Sequence, residues 1–153
     1  TVRAHVDIAL RWADQDAYGH VNNVAYARFL EEARVRLFWL GAARERTGLE
    51  QHFSASDPDG PKMLVASQQI EFTAVMEYSE QPITIEVWVG KLGGSSLEVH
   101  YEIVGGAERT VYARAMTAVV MVDGVTMRPL RLSPEARASI AEWTDEPLKL
   151  GRH

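Results

Sequence analysis

Residues 12–23, WADQDAYGHVNN, gather Asp14, Asp16, Tyr18, Gly19, His20, Asn22 and Asn23 into one short run. Carboxylates, an imidazole and amides at this density make either an ordinary connecting loop or a place for acid–base and nucleophilic chemistry. A helical pattern starts immediately afterwards, near Asn22 or Asn23. Its first N–H groups lack intrahelical acceptors and carry the positive end of the helix dipole, which is a ready site for an oxyanion. Asp16 therefore stands just before a set of anion-stabilising donors, and Gly19 lets the loop turn tightly and a substrate approach the backbone. The chain has no cysteine and no GxSxG elbow, so a carboxylate is the natural agent. It can attack a carbonyl directly or deprotonate a water, and the sequence leaves both routes open.

Each residue also has a plainer role. Asp14 fits a local turn, Asn22 serves equally as a helix N-cap, and His20 either holds the loop through its ring nitrogens or moves a proton. Three donors on one short loop with no distant partner do not make a metal site, so neither metal nor cofactor is expected.

The elements that must position this loop follow from periodicity. Residues 5–12 alternate, with Val6, Ile8, Leu10 and Trp12 on one face, as in a half-buried strand. Residues 23–40 contain no Gly or Pro and end at Gly41, predicting one long helix with a glycine cap. Four extended segments follow at 63–77, 83–91, 96–104 and 110–122, with GKLGGSS and GGAE as hairpin signals; the last is apolar on both faces toward its end and reads as a central strand. SASDPDGPK at 54–62 is a turn-rich loop. Ser133 as N-cap and Pro134 at the first helical position open a short terminal helix.

On the long helix, Tyr26, Phe29, Leu30, Ala33, Leu37 and Leu40 form one apolar stripe. Val24, Ala27, Val35 and Phe38 form another, interrupted by Glu31. A helix apolar on two sides needs two covers; one sheet supplies one, and the other comes from elsewhere in the chain or from a second subunit.

The length of 153 residues suits a single domain, 1–153. Sixteen Lys and Arg against 21 Asp and Glu, a formal charge of −5, argue against a broad basic face for nucleic acid. Arg3, Asp7, Arg11, Asp14 and Asp16 break up any leader-like or membrane-spanning stretch, so the expectation is a soluble, cytoplasmic protein without a membrane partner.

RWADQDAYGHVNNVAYARFLEEAR, supported by the strand order and by GKLGGSS, resembles the hotdog-fold thioesterases, in the branch that includes 4-hydroxybenzoyl-CoA thioesterase and similar acyl-CoA thioesterases. The resemblance spans residues 3–130. It implies an α+β hotdog fold, a five-stranded antiparallel sheet wrapped around one long central helix, followed here by the short C-terminal helix. It further implies homodimers or dimers of dimers that hydrolyse acyl-CoA or acyl-ACP thioesters at sites shared between subunits. Asp16 matches the family's catalytic aspartate, while His20 and Asn22 match the HVNN form of the loop seen also in plant acyl-ACP thioesterases. Those enzymes carry Asn where this chain has Tyr18. Glu31 matches a helix position facing the acyl end of the substrate; its alternative is an ion pair with Arg34 or Arg28.

On this reading Asp16, His20 and Asn23 are the catalytic candidates, and Tyr18, Gly19, Asn22 and Glu31 line the substrate. Lys91, Arg109 and Arg114, on or between the late strands, are the candidates for the phosphates of coenzyme A; Gly93 and Gly94 stand where some relatives carry basic side chains, so tight clamping there is not available. Two other readings compete: a silent acyl-thioester-binding module, and a hotdog enoyl-CoA hydratase, whose Gly-Asp-x-Asn-Pro-x-His pattern is absent.

Overall fold

The computed structural model describes residues 2–53 and 57–151. Strands β1 (Ala4–Ile8), β2 (Lys62–Phe72), β3 (Ile83–Leu92), β4 (Ser96–Gly105) and β5 (Thr110–Val122) form one antiparallel sheet in the order β1-β3-β4-β5-β2. Helices α1 (Asn23–Arg34), α2 (Glu50–Phe53) and α3 (Pro134–Ala141) complete the chain. Alternate residues of β3, β4 and β5, among them Val87, Val99 and Ala115, join Leu30, Ala33 and Leu37 of the long helix in one core. The sheet therefore wraps the helix, the hotdog arrangement. β5 lies between β4 and β2, which explains why its end is apolar on both faces.

The first strand stops at Ile8 rather than at residue 12, because the Asp14 carboxylate accepts the Arg11 N–H at 2.8 Å and winds Trp12–Asp14 into a 3-10 turn. Trp12 is thereby left 76% exposed instead of joining Val6 and Ile8. β2 likewise ends at Phe72 and not at 77. The N–H groups of Thr73 and Ala74 both reach the Tyr112 carbonyl, at 2.9 and 3.3 Å, and the chain swings so that Met76 O accepts the Val21 N–H at 2.8 Å. Of the turn-rich loop at 54–62, residues 54–56 lie outside the described residues; Asp57 to Gly60 form a turn. The four-residue α2 is too short to show in the periodicity.

The long helix departs from a simple cylinder. After Arg34 it widens into a π turn over Val35–Trp39, in which the Leu40 N–H reaches Val35 O at 3.0 Å. One extra residue in a turn rotates everything beyond it. Phe38, placed by regular spacing on the second stripe, is fully buried with its ring 5.4 Å from Phe53, whereas Leu40, placed on the core stripe, is 66% exposed. The rest of the core stripe is buried as expected, and Val24 on the other stripe is exposed. Gly41, at φ 60°, terminates the helix.

The two edges of the sheet differ. The free edge of β1 is covered by the Arg44 N–H donating to His5 O at 2.8 Å and by Glu45 on the His5 N–H. Among the described residues, β2 has β5 on one side and no strand on the other. On the outer face, the segment after α3 crosses Trp88, whose indole donates to Glu146 O at 2.9 Å, and the Leu148 N–H donates to His100 Nδ1 at 3.2 Å. Among the described residues no helix is long and apolar enough to cross a membrane.

The π turn makes a paired prediction for urea unfolding. Phe38→Ala removes a buried aromatic and should cost about 3–5 kcal/mol, while Leu40→Ala should stay within about 0.5 kcal/mol. A regular helix would make Leu40 the costly position.

Candidate active site

The loop before α1 is closed by its own backbone. The Asp16 N–H donates to His20 O at 2.8 Å and the Gly19 N–H to Asp16 O at 3.1 Å, a tight reversal that Gly19 permits at φ 78°. Gln15 bridges Val21, and His20 bridges Glu77. Asp14 is buried, with its carboxylate held by the Arg11 guanidinium at 2.9 Å and its carbonyl accepting the Asn22 N–H at 2.8 Å. Asn22 in turn caps α1, its Oδ1 accepting the Val24 N–H at 2.9 Å. Asp14 and Asn22 thus lock the loop to the helix start.

Asp16 is anchored by one oxygen. Oδ1 accepts the N–H groups of Tyr18 at 2.8 Å and His20 at 3.3 Å; Oδ2 has no partner among the described residues. Asn23 begins the helix, and its N–H is one of the end groups without an intrahelical acceptor. The capping side chain of Asn22 is spent on Val24, so the Asn23 N–H has no hydrogen-bond partner among the described residues. The His20 ring makes no hydrogen bond among the described residues; its backbone, not its imidazole, holds the loop.

Asp16, His20 and Asn23 line one cleft of about 350 Å³, whose other wall is Tyr26 and the stretch Phe72–Met76. Burial, with a smaller contribution from Tyr112, pushes the Tyr26 phenol up to about 12, so it stays neutral at physiological pH. Periodicity alone assigns Tyr26 to the core and runs a strand through 73–77. Sequence reasoning misses this wall, because what bends it away from the sheet is the distant Tyr112 carbonyl.

The other candidates fall elsewhere. Tyr18 is 85% exposed at the loop tip. Glu31 is exposed in a neighbouring groove along α1 and forms no ion pair with Arg28 or Arg34 within 4 Å. Arg109 and Arg114 lie on the opposite face of the sheet. There the Arg109 Nη2 meets Glu86 Oε1 at 2.6 Å and the Arg114 Nε meets Glu102 Oε2 at 2.9 Å. Burial works to raise the Glu102 carboxyl, but hydrogen bonds from Arg3 and Arg114 outweigh it and hold it below the usual carboxylate range. Lys91 is exposed on β3 opposite Glu98.

A five-stranded antiparallel sheet that enfolds one long helix is a fold shared with known proteins. Residues 10–144 match the model of the thioesterase-like superfamily, and the chain belongs to that family, the hotdog-fold thioester hydrolases. It is similar to the YsmA protein of Bacillus subtilis (strain 168), with 30% identity over 141 residues, 91% of this chain and 78% of that protein. Among solved structures, the PA5185 protein of Pseudomonas aeruginosa PAO1 shares 28% identity at a TM-score of 0.75, covering 92% of this chain and 90% of that one. A Thermus thermophilus thioesterase complexed with coenzyme A and Zn shares the fold, at 24% identity and a TM-score of 0.70, covering 94% of this chain and 96% of that one.

Two substitutions probe how the loop is held. Nothing lies within 4 Å of a Cβ built on Gly19, so Gly19→Ala should cost only the strain of a left-handed backbone, about 1–2 kcal/mol. Asn22→Ala should cost about 1 kcal/mol through loss of the cap. Both are read from thermal or urea unfolding; a neutral Asn22→Ala would show that the cap does not hold the helix start.

Proposed function

We propose that this protein hydrolyses acyl-CoA thioesters with Asp16 as the reacting carboxylate. The observation that carries the reading is the pairing, in one cleft, of an Asp16 oxygen without a partner among the described residues and the uncommitted N–H of Asn23. A thioester carbonyl seated against the helix start gains a donor and the dipole's positive end just where negative charge develops. Asp16 then attacks the carbonyl carbon, expels the thiolate and leaves an anhydride for water to open. Alternatively it takes a proton from water as the hydroxide adds. Either course ends in a free acid and a thiol. The thiolate leaves without a strong acid, and His20, a residue of the same cleft, passes the proton. The Thermus thermophilus relative that binds coenzyme A supports a CoA carrier; an acyl carrier protein bearing the same thioester presents the same reacting atoms.

The working unit on this reading is a homodimer or a dimer of dimers. β2 offers an eleven-residue strand with no neighbouring strand on its outer side among the described residues, carrying half-exposed Leu64 and Val65, and Val24 of α1 is 70% exposed beside it. Unpaired strand edges with apolar flanks recruit another strand. Light scattering at micromolar concentration should give at least twice the chain mass of 17.1 kDa; a folded monomer contradicts the assembly.

The catalytic assignment is tested with Asp16→Asn, assayed for thiol release over aliphatic and aromatic acyl-CoAs. Turnover should fall on the order of a hundredfold or more, with circular dichroism and size unchanged. A variant that keeps near-native kcat removes Asp16 from the mechanism. If the native protein binds acyl-CoA and releases no thiol, it is a silent binding module.

A further inference from the structure

Arg34 makes hydrogen bonds only to neutral groups among the described residues. Its Nη1 reaches Gln68 Oε1 at 3.2 Å, Tyr101 Oη at 3.2 Å and Thr117 Oγ1 at 3.3 Å. These three acceptors are tied to one another: Tyr101 donates to Thr117 at 2.9 Å, and Thr117 donates to Gln68 at 2.9 Å. All are neutral, and Tyr101 and Thr117 are completely buried. Arg3, Arg109 and Arg114 on the outer face of the sheet each sit on Glu86 or Glu102. Arg34, on the inner face, has no carboxylate within 4 Å among the described residues. A partly buried cation on a neutral scaffold is costly unless a counter-charge arrives. The Nε and Nη2 side of the guanidinium, the edge that takes a carboxylate through two parallel bonds, makes no hydrogen bond among the described residues.

Arg34 lines a groove of about 420 Å³ between α1 and β2, where Val24 and Ala27 precede it on the helix and Val65 lies beyond Gln68 on the strand as seen from Phe72. The groove and the catalytic cleft are separate hollows walled by the same two elements, α1 and β2. Gln68 is four residues from Phe72 on β2, about 13 Å at roughly 3.3 Å per residue. Arg34 is eleven residues from Asn23 on α1, about 16 Å at roughly 1.5 Å per residue. An extended acyl chain laid along α1 from a carbonyl at Asn23 would pass Val24 and Ala27 and reach the Arg34 guanidinium. Arg28 and Glu31 also line the groove; both are exposed, and Glu31 makes no ion pair with Arg34 within 4 Å.

We propose that Arg34 seats a carboxylate at the far end of the acyl group, so that the preferred substrates are CoA monothioesters of dicarboxylic acids. This rests on the thioesterase reading for the chemistry, but not for the binding, and the test separates the two. Calorimetry on Asp16→Asn, which decouples binding from turnover, compares suberoyl-CoA with octanoyl-CoA. Adipoyl- and sebacoyl-CoA against hexanoyl- and decanoyl-CoA give the length dependence. The carboxylated member of at least one pair should bind about tenfold tighter or better. In Asp16→Asn/Arg34→Met the ratio should collapse to near one, and in Asp16→Asn/Arg34→Lys, which keeps the charge and loses the fork, it should be intermediate.

Equal affinities in every pair overturn the proposal, even when the native enzyme hydrolyses octanoyl-CoA. Absence of thiol release from every thioester refutes the hydrolase reading, while the affinity ratio still decides for Arg34. If Arg34→Met or Glu31→Gln instead lowers the oligomeric mass, Arg34 answers a carboxylate of a second copy and the proposal fails.

Discussion

The site depends on how the start of α1 is pinned. A helix end carries useful donors only when they are held still and not consumed by the protein itself. Here Asn22 does both: its N–H is held by the carbonyl of buried Asp14, and its side chain takes the Val24 N–H, leaving Asn23 uncommitted. The Asp14 carboxylate is fixed in turn by Arg11. Asp14 is thus a support, and the Oδ1 of Asp16 is spent on the reversal that aims the residue. What remains is one Asp16 carboxylate oxygen without a partner among the described residues, on a loop held by its own backbone.

The rest of the molecule positions that frame and leaves one surface unfinished. The sheet buries one stripe of α1 and takes its outer face under the segment after α3, where the arginines and acids are mutually neutralised. Between α1 and the open edge of β2, neither the apolar positions nor the charge of Arg34 is matched among the described residues.

Much of this was legible in the sequence because it is local. The alternation of β3, β4 and β5, the N-caps at Asn22 and Ser133, Gly41 after the helix and the polar loop all show within a few residues. What could not be read depends on distant atoms or on a change of phase. The Tyr112 carbonyl ends β2 and creates the cleft wall at Thr73–Met76; the π turn moves Phe38 inward and Leu40 outward; and Arg34 meets acceptors from three strands. Arg109 and Arg114 look available in the sequence because their acidic partners, Glu86 and Glu102, are far away along the chain.

The central claim is that a thioester carbonyl is polarised at the Asn23 end of α1 beside Asp16. Difference infrared spectroscopy of a carbonyl-13C-labelled acyl-CoA bound to Asp16→Asn, with the unlabelled thioester as reference, reports on that carbonyl directly. A hydrogen bond from the helix start withdraws electron density from the carbonyl, so its stretch should move to lower wavenumber than for the same thioester in water. A bound carbonyl whose stretch is unshifted, or moves to higher wavenumber as in an apolar site, would contradict the account.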